Sequence, residues 1–145
     1  MAESTSIMSI DVKGAMSASS SASYCSMRQG TMAEKAALYN ATSNPTHKVG
    51  DYINKGILVK DVFVETIEIE DEDTHETIIA PRVVLIDTKG ESYQAVSKGI
   101  FNALARLITA FGEPTWADGL PVIVKQVSLG KNQMLTLAID EGKLA

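Results

Sequence analysis

The segment from Gly56 to Asp87 restricts the fold more than any other part of the chain. Two runs rich in Ile and Val, GILVKDVFVETIEIE and TIIAPRVVLID, adjoin the acidic run EDEDTHE on either side. β-Branched side chains suit a pleated strand better than a helix. Like charges must stay hydrated, so the acidic run cannot enter a core. The segment therefore predicts a long β-hairpin with the acidic run, Glu70 to Glu76, at its tip.

The first strand of this hairpin is apolar on both of its alternating phases. Such a strand is typically covered on both sides, or bent by a bulge that exchanges its faces, as barrel strands are. In the second strand, Pro81 lacks an amide hydrogen and is expected at an edge or a bulge. Both observations favour a curved sheet.

The rest of the chain contributes four further predicted elements. Residues 34–41 precede the turn sequence Thr-Ser-Asn-Pro and are interpreted as a first strand. Residues 97–111 carry apolar side chains at three- and four-residue steps, which predicts an amphipathic helix that begins after Ser97 and ends before Gly112. Residues 120–129 and 133–139, joined by Gly-Lys-Asn, predict a second hairpin.

The predicted order is three strands, one α-helix and two strands, which is the order of the OB-fold. We therefore predict a mainly β protein with an OB-fold-like, five-stranded Greek-key barrel and one helix between strands 3 and 4. A different small α+β sheet with a helix packed on one side is also compatible with this order. The predicted domain covers residues 33–140, followed by a C-terminal tail of residues 141–145.

Residues 1–32 are interpreted as a flexible or oligomerising N-terminal arm rich in Ser and Ala. Six serines lie among positions 17 to 26, and no periodic apolar pattern accompanies them. Burial would not offset the entropy lost on ordering such a stretch, so a simple tail or linker is expected. Alternatively, part of the arm forms a short strand that adds to the edge of the sheet in a neighbouring subunit. The apolar residues of this strand would be Met8, Ile10, Val12 and Met16.

The net charge of −5 is unevenly distributed along the 145 residues. Eight of the eighteen acidic residues lie between Asp61 and Glu76, where there is no Lys or Arg. The remaining ten acids are outnumbered by thirteen bases. An acidic composition argues against a basic nucleic-acid binder, but the mildly basic remainder is compatible with a groove for a polyanion. Such a groove is expected to bind single strands modestly and to prefer them to duplex.

Several features of the sequence indicate the cellular compartment of the protein and argue against catalytic activity. The single cysteine, Cys25, cannot form an internal disulfide, and the N-terminus lacks the pattern of a signal peptide. No apolar run approaches the roughly 20 residues of a membrane helix. His47 and His75 lie in predicted loops, and the acidic run lacks the glycine and closing glutamate of a calcium loop. We expect a soluble cytoplasmic protein with no enzymatic activity, metal or cofactor.

The aromatic and basic residues indicate a possible function more clearly than the histidines and acidic residues do. A protein that binds single-stranded nucleic acid needs aromatic rings on which bases stack and cations that bind phosphates. Three tyrosines and the single tryptophan lie in or beside polar loops. Tyr93 is placed in a polar turn, ESYQA, where its ring would face solvent. Trp116 is equally compatible with a role as a lid on the barrel. The candidate stacking residues are Tyr39, Tyr52, Tyr93 and Trp116, and the candidate phosphate-binding residues are Lys48, Lys55, Lys98, Lys125 and Lys131.

Three stretches carry a resemblance to a known family: ALYNATSNPTHKVGDYINKGILVKDV, VVLIDTKGESYQAVSKGIFNALARLITAFGEPTW and LPVIVKQVSLGKNQMLTLAI. In this order and with this spacing, the chain resembles the single-stranded DNA-binding proteins of Gram-positive bacteriophages, including those of the small protein-primed Bacillus phages. The resemblance covers most of residues 36–139. Its most specific part is the Gly-x-x-Tyr-x-Ala-x-Ser-Lys run that enters the helix.

The resemblance implies an OB-like fold and sequence-independent coating and protection of single-stranded DNA during phage DNA replication. It implies a stacking role for Tyr93, whose surroundings match best, and it places the protein in the infected host's cytoplasm. The expected partners are single-stranded DNA, a second copy bound through the arm, and phage replication proteins. The chain departs from the protein-primed relatives in its acidic hairpin tip, where they have tyrosines, and in its longer arm.

The sequence is also compatible with two functions other than DNA binding. The alternative is a phage structural, assembly or accessory module that binds partner proteins and has no affinity for nucleic acid. A hydrolase is the least supported, because no nucleophile, base and orienting group occur together in the sequence.

Overall fold

A computed structural model describes residues 23–130 and 132–144. Two short 3-10 helices, Val49–Tyr52 and Glu141–Lys143, accompany the longer elements. The strands are β1 (Ser23–Cys25), β2 (His47–Lys48), β3 (Gly56–Glu70), β4 (Thr77–Asp87), β5 (Ser92–Val96), β6 (Leu120–Leu129) and β7 (Asn132–Ile139), and the helices are α1 (Met32–Ser43) and α2 (Lys98–Phe111).

The strands form one mixed, curled sheet in the order β2-β5-β4-β3-β6-β7, and β1 pairs with β3. Among the strands that the structure describes, only the short β2 runs parallel to its neighbour, β5. After β2 the chain crosses to β6, where the Asn54 amide donates to the Val124 carbonyl at 2.6 Å and the Val124 amide donates to the Lys55 carbonyl at 3.1 Å. The result is a mainly β, barrel-like fold. The described residues contain seven strands and two α-helices, so the sheet is larger than the five strands predicted.

The core lies between the inner face of the sheet and α2. β3 and β4 direct valines and leucines inward, and α2 buries Ile100, Phe101, Leu104 and Leu107 against them. The amphipathic spacing predicted this face of α2, and the N-cap is confirmed because the Ser97 hydroxyl accepts from the Ile100 amide at 3.1 Å. Close packing fixes the start of the helix: a Cβ added at Gly99 would lie 2.0 Å from the Leu135 carbonyl oxygen.

The predicted long hairpin is confirmed, with β3 and β4 paired on either side of the acidic tip. A register shift between Val59 and Asp61 marks a bulge in β3. Ile57 and Val59 face the core before the bulge, and Val62 and Val64 face it afterwards. Phe63 packs on the opposite face in a second apolar cluster with Val84. The two apolar phases of β3 are therefore explained by both a bulge and a second covered face.

Two elements differ from the prediction. Residues 34–41 are helical and belong to α1, because Thr31 and Glu34 form a capping box and the following alanines favour a helix. The SYQAV segment, predicted as a turn, is strand β5. Its alternation of polar and apolar residues allows it to pair with β4 from Arg82 to Ile86.

The sheet begins inside the predicted arm. β1 runs antiparallel to β3 with Ser23 opposite Glu65, and Tyr24 is 0% exposed in the core. The Tyr24 hydroxyl donates to Glu113 Oε1 at 3.2 Å. The packed part of the chain therefore starts earlier than residue 33. The apolar alternation of the arm, from Met8 to Met16, lies outside the described residues.

Across residues 23–130 and 132–144, no helix has the length and apolar character needed to cross a membrane.

Candidate nucleic-acid interface

Three rings meet where β2 joins β5. The parallel pairing of the two strands sets His47 beside Tyr93, and the rings stack with their centroids 4.8 Å apart and their planes at 21°. Tyr52, at the end of the 3-10 helix after β2, meets Tyr93 edge-on at 5.0 Å and His47 edge-on at 5.3 Å. Each ring therefore restrains the other two.

Hydrogen bonds hold these rings in their positions. The Tyr93 hydroxyl donates to Asp87 Oδ2 at 2.8 Å. His47 Nε2 lies 2.5 Å from Glu91 Oε1, and the Tyr52 hydroxyl lies 3.1 Å from His47 Nδ1. Burial, together with the bonded Asp87 carboxylate, raises the pKa of Tyr93 above its ordinary value. The phenol therefore remains neutral and remains a donor throughout the neutral pH range.

Tyr93 is 6% exposed, so the prediction that its ring faces solvent is wrong. The ring points inward because β5 is a strand, and its alternate residues Tyr93 and Ala95 pack against the core. One face of the ring is already occupied by the stacked imidazole of His47. Tyr52 is only half-buried and is the more accessible tyrosine of the cluster.

A cavity of about 420 Å³ lies beside the ring cluster. Tyr52, Tyr93 and Leu58 supply aromatic and apolar walls, and Lys89 and Lys143 bring positive charge to the same cavity. Three carboxylates also line it, from Asp87, Glu91 and Asp140. Its volume is within the range of small-ligand sites, about 300–1,000 Å³.

One of the predicted phosphate-binding residues contacts this cluster. Lys55 Nζ is 5.6 Å from the centroid of the Tyr52 ring, a cation–π distance. Lys48 and Lys98 are exposed and Lys125 is half-buried. Within the described ranges, none of these four lysines takes part in an ion pair. The fifth predicted phosphate-binding residue, Lys131, lies outside the described residues.

The structure brings together only two of the four predicted stacking residues, Tyr52 and Tyr93. Tyr39 is 65% exposed on α1, which packs through Ala41 on the outer face of the sheet, opposite the core. Trp116 is half-buried against the core, and its indole Nε1 donates to the Gly112 carbonyl at 3.2 Å. Neither ring makes a ring contact in the part of the chain that the structure describes.

Sequence reasoning missed His47, Glu91 and Asp87 as members of the site. The sequence predicts a surface loop at His47, yet this residue forms part of β2 and stacks on Tyr93. No local signal identifies a two-residue strand such as β2. The alternation of Ser92, Tyr93, Gln94 and Ala95 did contain a period-two pattern that indicates a strand. Among the residues described, no group of three or more His, Cys, Asp or Glu side chains is arranged to hold a metal ion.

Comparison with protein-family models gives a match over residues 17–140 to the Phi29-type family described as Phage Single-stranded DNA-binding protein. The match spans most of the chain and includes every element of the ring cluster. Comparisons with curated proteins and with solved structures gave no match. The description of the matched family is that of proteins that bind single-stranded DNA. The chain therefore belongs to the Phi29-type phage single-stranded DNA-binding protein family.

Proposed function

We propose that this protein coats single-stranded DNA without sequence preference and protects it during phage DNA replication, without catalysing a reaction. The observation that carries the proposal is the pre-arranged ring cluster beside a cavity and unpaired lysines. Stacking on an aromatic ring is available to every base, so such a site tolerates sequence. The function places the protein in the cytoplasm of an infected bacterial cell, with replication proteins as further partners.

Tyr52 is the central stacking residue in this proposal. Its ring is half-buried and is held at its edges by Tyr93 and His47. A ring fixed before binding loses little further entropy when a base stacks on it. Tyr93 has its ring largely buried, and its role is to position Tyr52 and His47. Tyr39 and Trp116 supply further ring surface elsewhere on the molecule.

Lysines neutralise the phosphates of the bound strand. Lys48 and Lys55 flank the 3-10 helix that ends at Tyr52, and Lys98 begins α2 directly after β5. Lys125 on β6 and Lys131, which follows Gly130 in the sequence, extend the set. Because the whole chain has a net charge of −5, we expect modest affinity that falls with salt and depends on stacking as well as on charge.

The arrangement of strands supports an OB-like barrel as the framework. β3 to β7 are five strands with α2 between the third and the fourth, and β3 pairs with both β4 and β6. This is the order of elements in the OB-fold, which binds oligonucleotides on one face. In this proposal α1, β1 and β2 are additions to the barrel.

Self-association through residues 1–22 is the second part of the proposal. β1 is antiparallel to β3, and its first residue, Ser23, pairs with Glu65, which is nearer to the acidic tip than Phe63, the partner of Cys25. The exposed side chains of Ile69, Ile78 and Ile79 lie on this end of the hairpin. Removal of residues 1–22 is expected to lower the mass measured by light scattering after size exclusion. An unchanged mass would contradict a role of the arm in assembly.

Fluorescence anisotropy with labelled oligonucleotides tests DNA binding directly. A length of about 30 nucleotides exceeds the roughly 4–16 nucleotides that one OB-fold contacts. We expect similar affinity for oligo-dT and for a mixed sequence, and weaker binding to duplex. The logarithm of affinity should fall with the logarithm of salt concentration by about 0.7 for each phosphate contacted. Absence of binding, or binding that salt does not change, would favour the alternative of a module for protein partners.

A further inference from the structure

A chain of hydrogen bonds runs through the ring cluster from Glu91 to Tyr52, with His47 between them. His47 Nε2 lies 2.5 Å from Glu91 Oε1, and Nδ1 lies 3.1 Å from the Tyr52 hydroxyl. Three separate elements supply these groups, since Glu91 lies in the turn between β4 and β5, His47 on β2 and Tyr52 in the 3-10 helix. The fold therefore connects a carboxylate to the proposed stacking ring through one imidazole.

The carboxylate at one end decides which nitrogen of the neutral imidazole carries the hydrogen. An ionised carboxylate only accepts hydrogen bonds, so the hydrogen lies on Nε2 and points at Glu91. Nδ1 then has a lone pair and no hydrogen, so it accepts the hydroxyl proton of Tyr52. While His47 is neutral, the only donor hydrogen of the Tyr52 side chain is therefore held within the chain.

Addition of one proton to His47 reverses the bond to Tyr52. Both nitrogens of an imidazolium are donors. Nδ1 then donates to the Tyr52 oxygen, and the hydrogen of the Tyr52 hydroxyl turns toward another acceptor. A phosphate diester of DNA offers acceptors and no donor, so Tyr52 can donate to it only when His47 is protonated.

His47 is placed to exchange this proton with solvent. Its side chain is 28% exposed, and that of Glu91 is 47% exposed. The charge of a histidine ordinarily changes between pH 5 and pH 8. Burial raises the pKa of Tyr93, so the ring stacked on His47 does not titrate in the same range. The titratable groups that contact His47 are Glu91, Tyr52 and Tyr93, and those in turn contact Lys55 and Asp87.

The surroundings of Tyr52 suit a phosphate. In a nucleotide only the sugar separates the base from the phosphate, so a base stacked on the Tyr52 ring keeps a phosphate near the rim of that ring. Lys55 Nζ lies 5.6 Å from the centroid of the same ring and attracts that phosphate. Tyr52 and Glu91 both line the cavity of about 420 Å³, so there is space beside this chain of hydrogen bonds.

We propose that Glu91 and His47 are positioning residues for Tyr52, and that a proton taken up by His47 frees the Tyr52 hydroxyl to donate to a phosphate of the bound strand. Proton uptake and DNA binding then strengthen each other, so affinity rises as the pH falls. The proton comes from solvent and returns to it when the strand dissociates. This inference rests on the proposed function and adds a pH dependence to the same site.

Anisotropy titrations of the full chain with labelled oligo-dT, between about pH 6 and pH 8 at constant ionic strength, test this coupling. Thymine does not ionise in this range, so a titrating group must belong to the protein. We expect affinity to rise by about twofold to tenfold from the higher to the lower pH, which corresponds to one hydrogen bond. His47→Gln should abolish the rise, because an amide does not titrate.

The other histidine of the chain provides a matched control. His75 Nδ1 also faces a carboxylate, Glu70 Oε1 at 3.5 Å, but its side chain is 77% exposed at the hairpin tip. Within the described residues His75 makes no ring contact. Asn tolerates the φ of 59° at this position. His75→Asn should therefore retain the full pH dependence.

Two further variants separate the hydroxyl from the charge. Tyr52→Phe keeps the ring and removes the hydroxyl, so the pH dependence should largely disappear although His47 is present. Glu91→Gln removes the negative charge beside His47, so the rise in affinity should move to lower pH. Long-range ¹⁵N NMR of the imidazoles, recorded on the full chain without DNA, should show the hydrogen of neutral His47 on Nε2.

The outcomes distinguish this inference from the function on which it rests. If the unaltered chain binds oligo-dT with an affinity that pH does not change, or if His47→Gln retains the rise, the proton coupling is wrong and the proposed function stands. A full rise in Tyr52→Phe would assign the effect to charge alone and overturn the role of the hydroxyl. A hydrogen on Nδ1 of neutral His47 would contradict positioning by Glu91. If the unaltered chain binds no oligonucleotide at any pH, the proposed function fails and this inference fails with it.

Discussion

The Tyr93 hydroxyl donates a 2.8 Å hydrogen bond to Asp87 Oδ2, and both residues are buried. The other carboxylate oxygen of Asp87 accepts from the backbone amides of Lys89 and Glu91, each at 2.9 Å. Asp87 therefore ties the turn between β4 and β5 to the ring that supports His47 and Tyr52. This pair connects the stability of the sheet to the geometry of the candidate binding site.

Tyr93→Phe keeps the ring and removes this hydrogen bond. Because the bond involves a buried carboxylate, we expect the free energy of unfolding to fall by about 1–3 kcal/mol, measured by urea denaturation. Tyr39→Phe is the matched control, since Tyr39 is exposed and its hydroxyl has no hydrogen bond within the described residues. Equal stability of the two variants would show that the bond to Asp87 contributes nothing.

Stability should decline in alkaline solution. Burial raises the pKa of Tyr24, assisted by Glu113, and burial raises the pKa of Tyr93, assisted by Asp87. Unfolded tyrosine ionises near pH 10, so above that pH the unfolded state loses protons that the folded state retains. The stabilisation is complete below about pH 10 and falls as pH rises toward the folded pKa, by about 1.4 kcal/mol per pH unit for each tyrosine.

Urea denaturation between about pH 8 and pH 11 measures this decline. Cys25, whose pKa is also raised by burial, adds a loss in the same direction from a slightly lower pH. The double variant Tyr24→Phe/Tyr93→Phe should show a shallower decline than the unaltered chain. A decline of the same steepness in both proteins would mean that these phenols do not cause it.

Tyr52→Ala should weaken binding of oligo-dT by about 1–3 kcal/mol, the contribution of one stacked base. Tyr52→Phe retains the ring and should preserve most of the affinity. Phe111→Ala removes a more exposed ring at the end of α2, which makes no ring contact with the cluster, and serves as the control. If anisotropy shows Tyr52→Ala and Phe111→Ala binding equally well, Tyr52 does not stack on the DNA.

Gly99→Ala should destabilise the protein strongly. The new Cβ would lie 2.0 Å from the Leu135 carbonyl oxygen and 2.5 Å from Met134 Cγ, so α2 would have to move away from β7. Overpacking of this kind costs about 1–3 kcal/mol or more. Gly50→Ala, where the added Cβ meets no atom within 4 Å, should remain within about 0.5 kcal/mol. Similar melting temperatures for the two variants would contradict the close approach.

The elements with strong local periodicity were predictable from the sequence. The β3–β4 hairpin, α2 and the β6–β7 hairpin follow from alternation, from three- and four-residue apolar steps, and from turn residues. α1 was mistaken for a strand although Thr31 and Glu34 carry the signature of a capping box. The turn sequence after residue 41 favoured a short strand, whereas the capping box before it indicated a helix. The correct signal was therefore present in the sequence.

The environment of the binding-site rings was decided by tertiary structure. The sequence by itself determined that Tyr93 lies between β4 and α2, and that tyrosines and lysines cluster in the chain around it. Only the sheet decided that Tyr93 faces inward, because the two faces of a strand differ solely in what packs against them. His47 stacks on Tyr93 from 46 residues away through a two-residue strand. Such a contact depends on the register between distant segments, which no local pattern encodes.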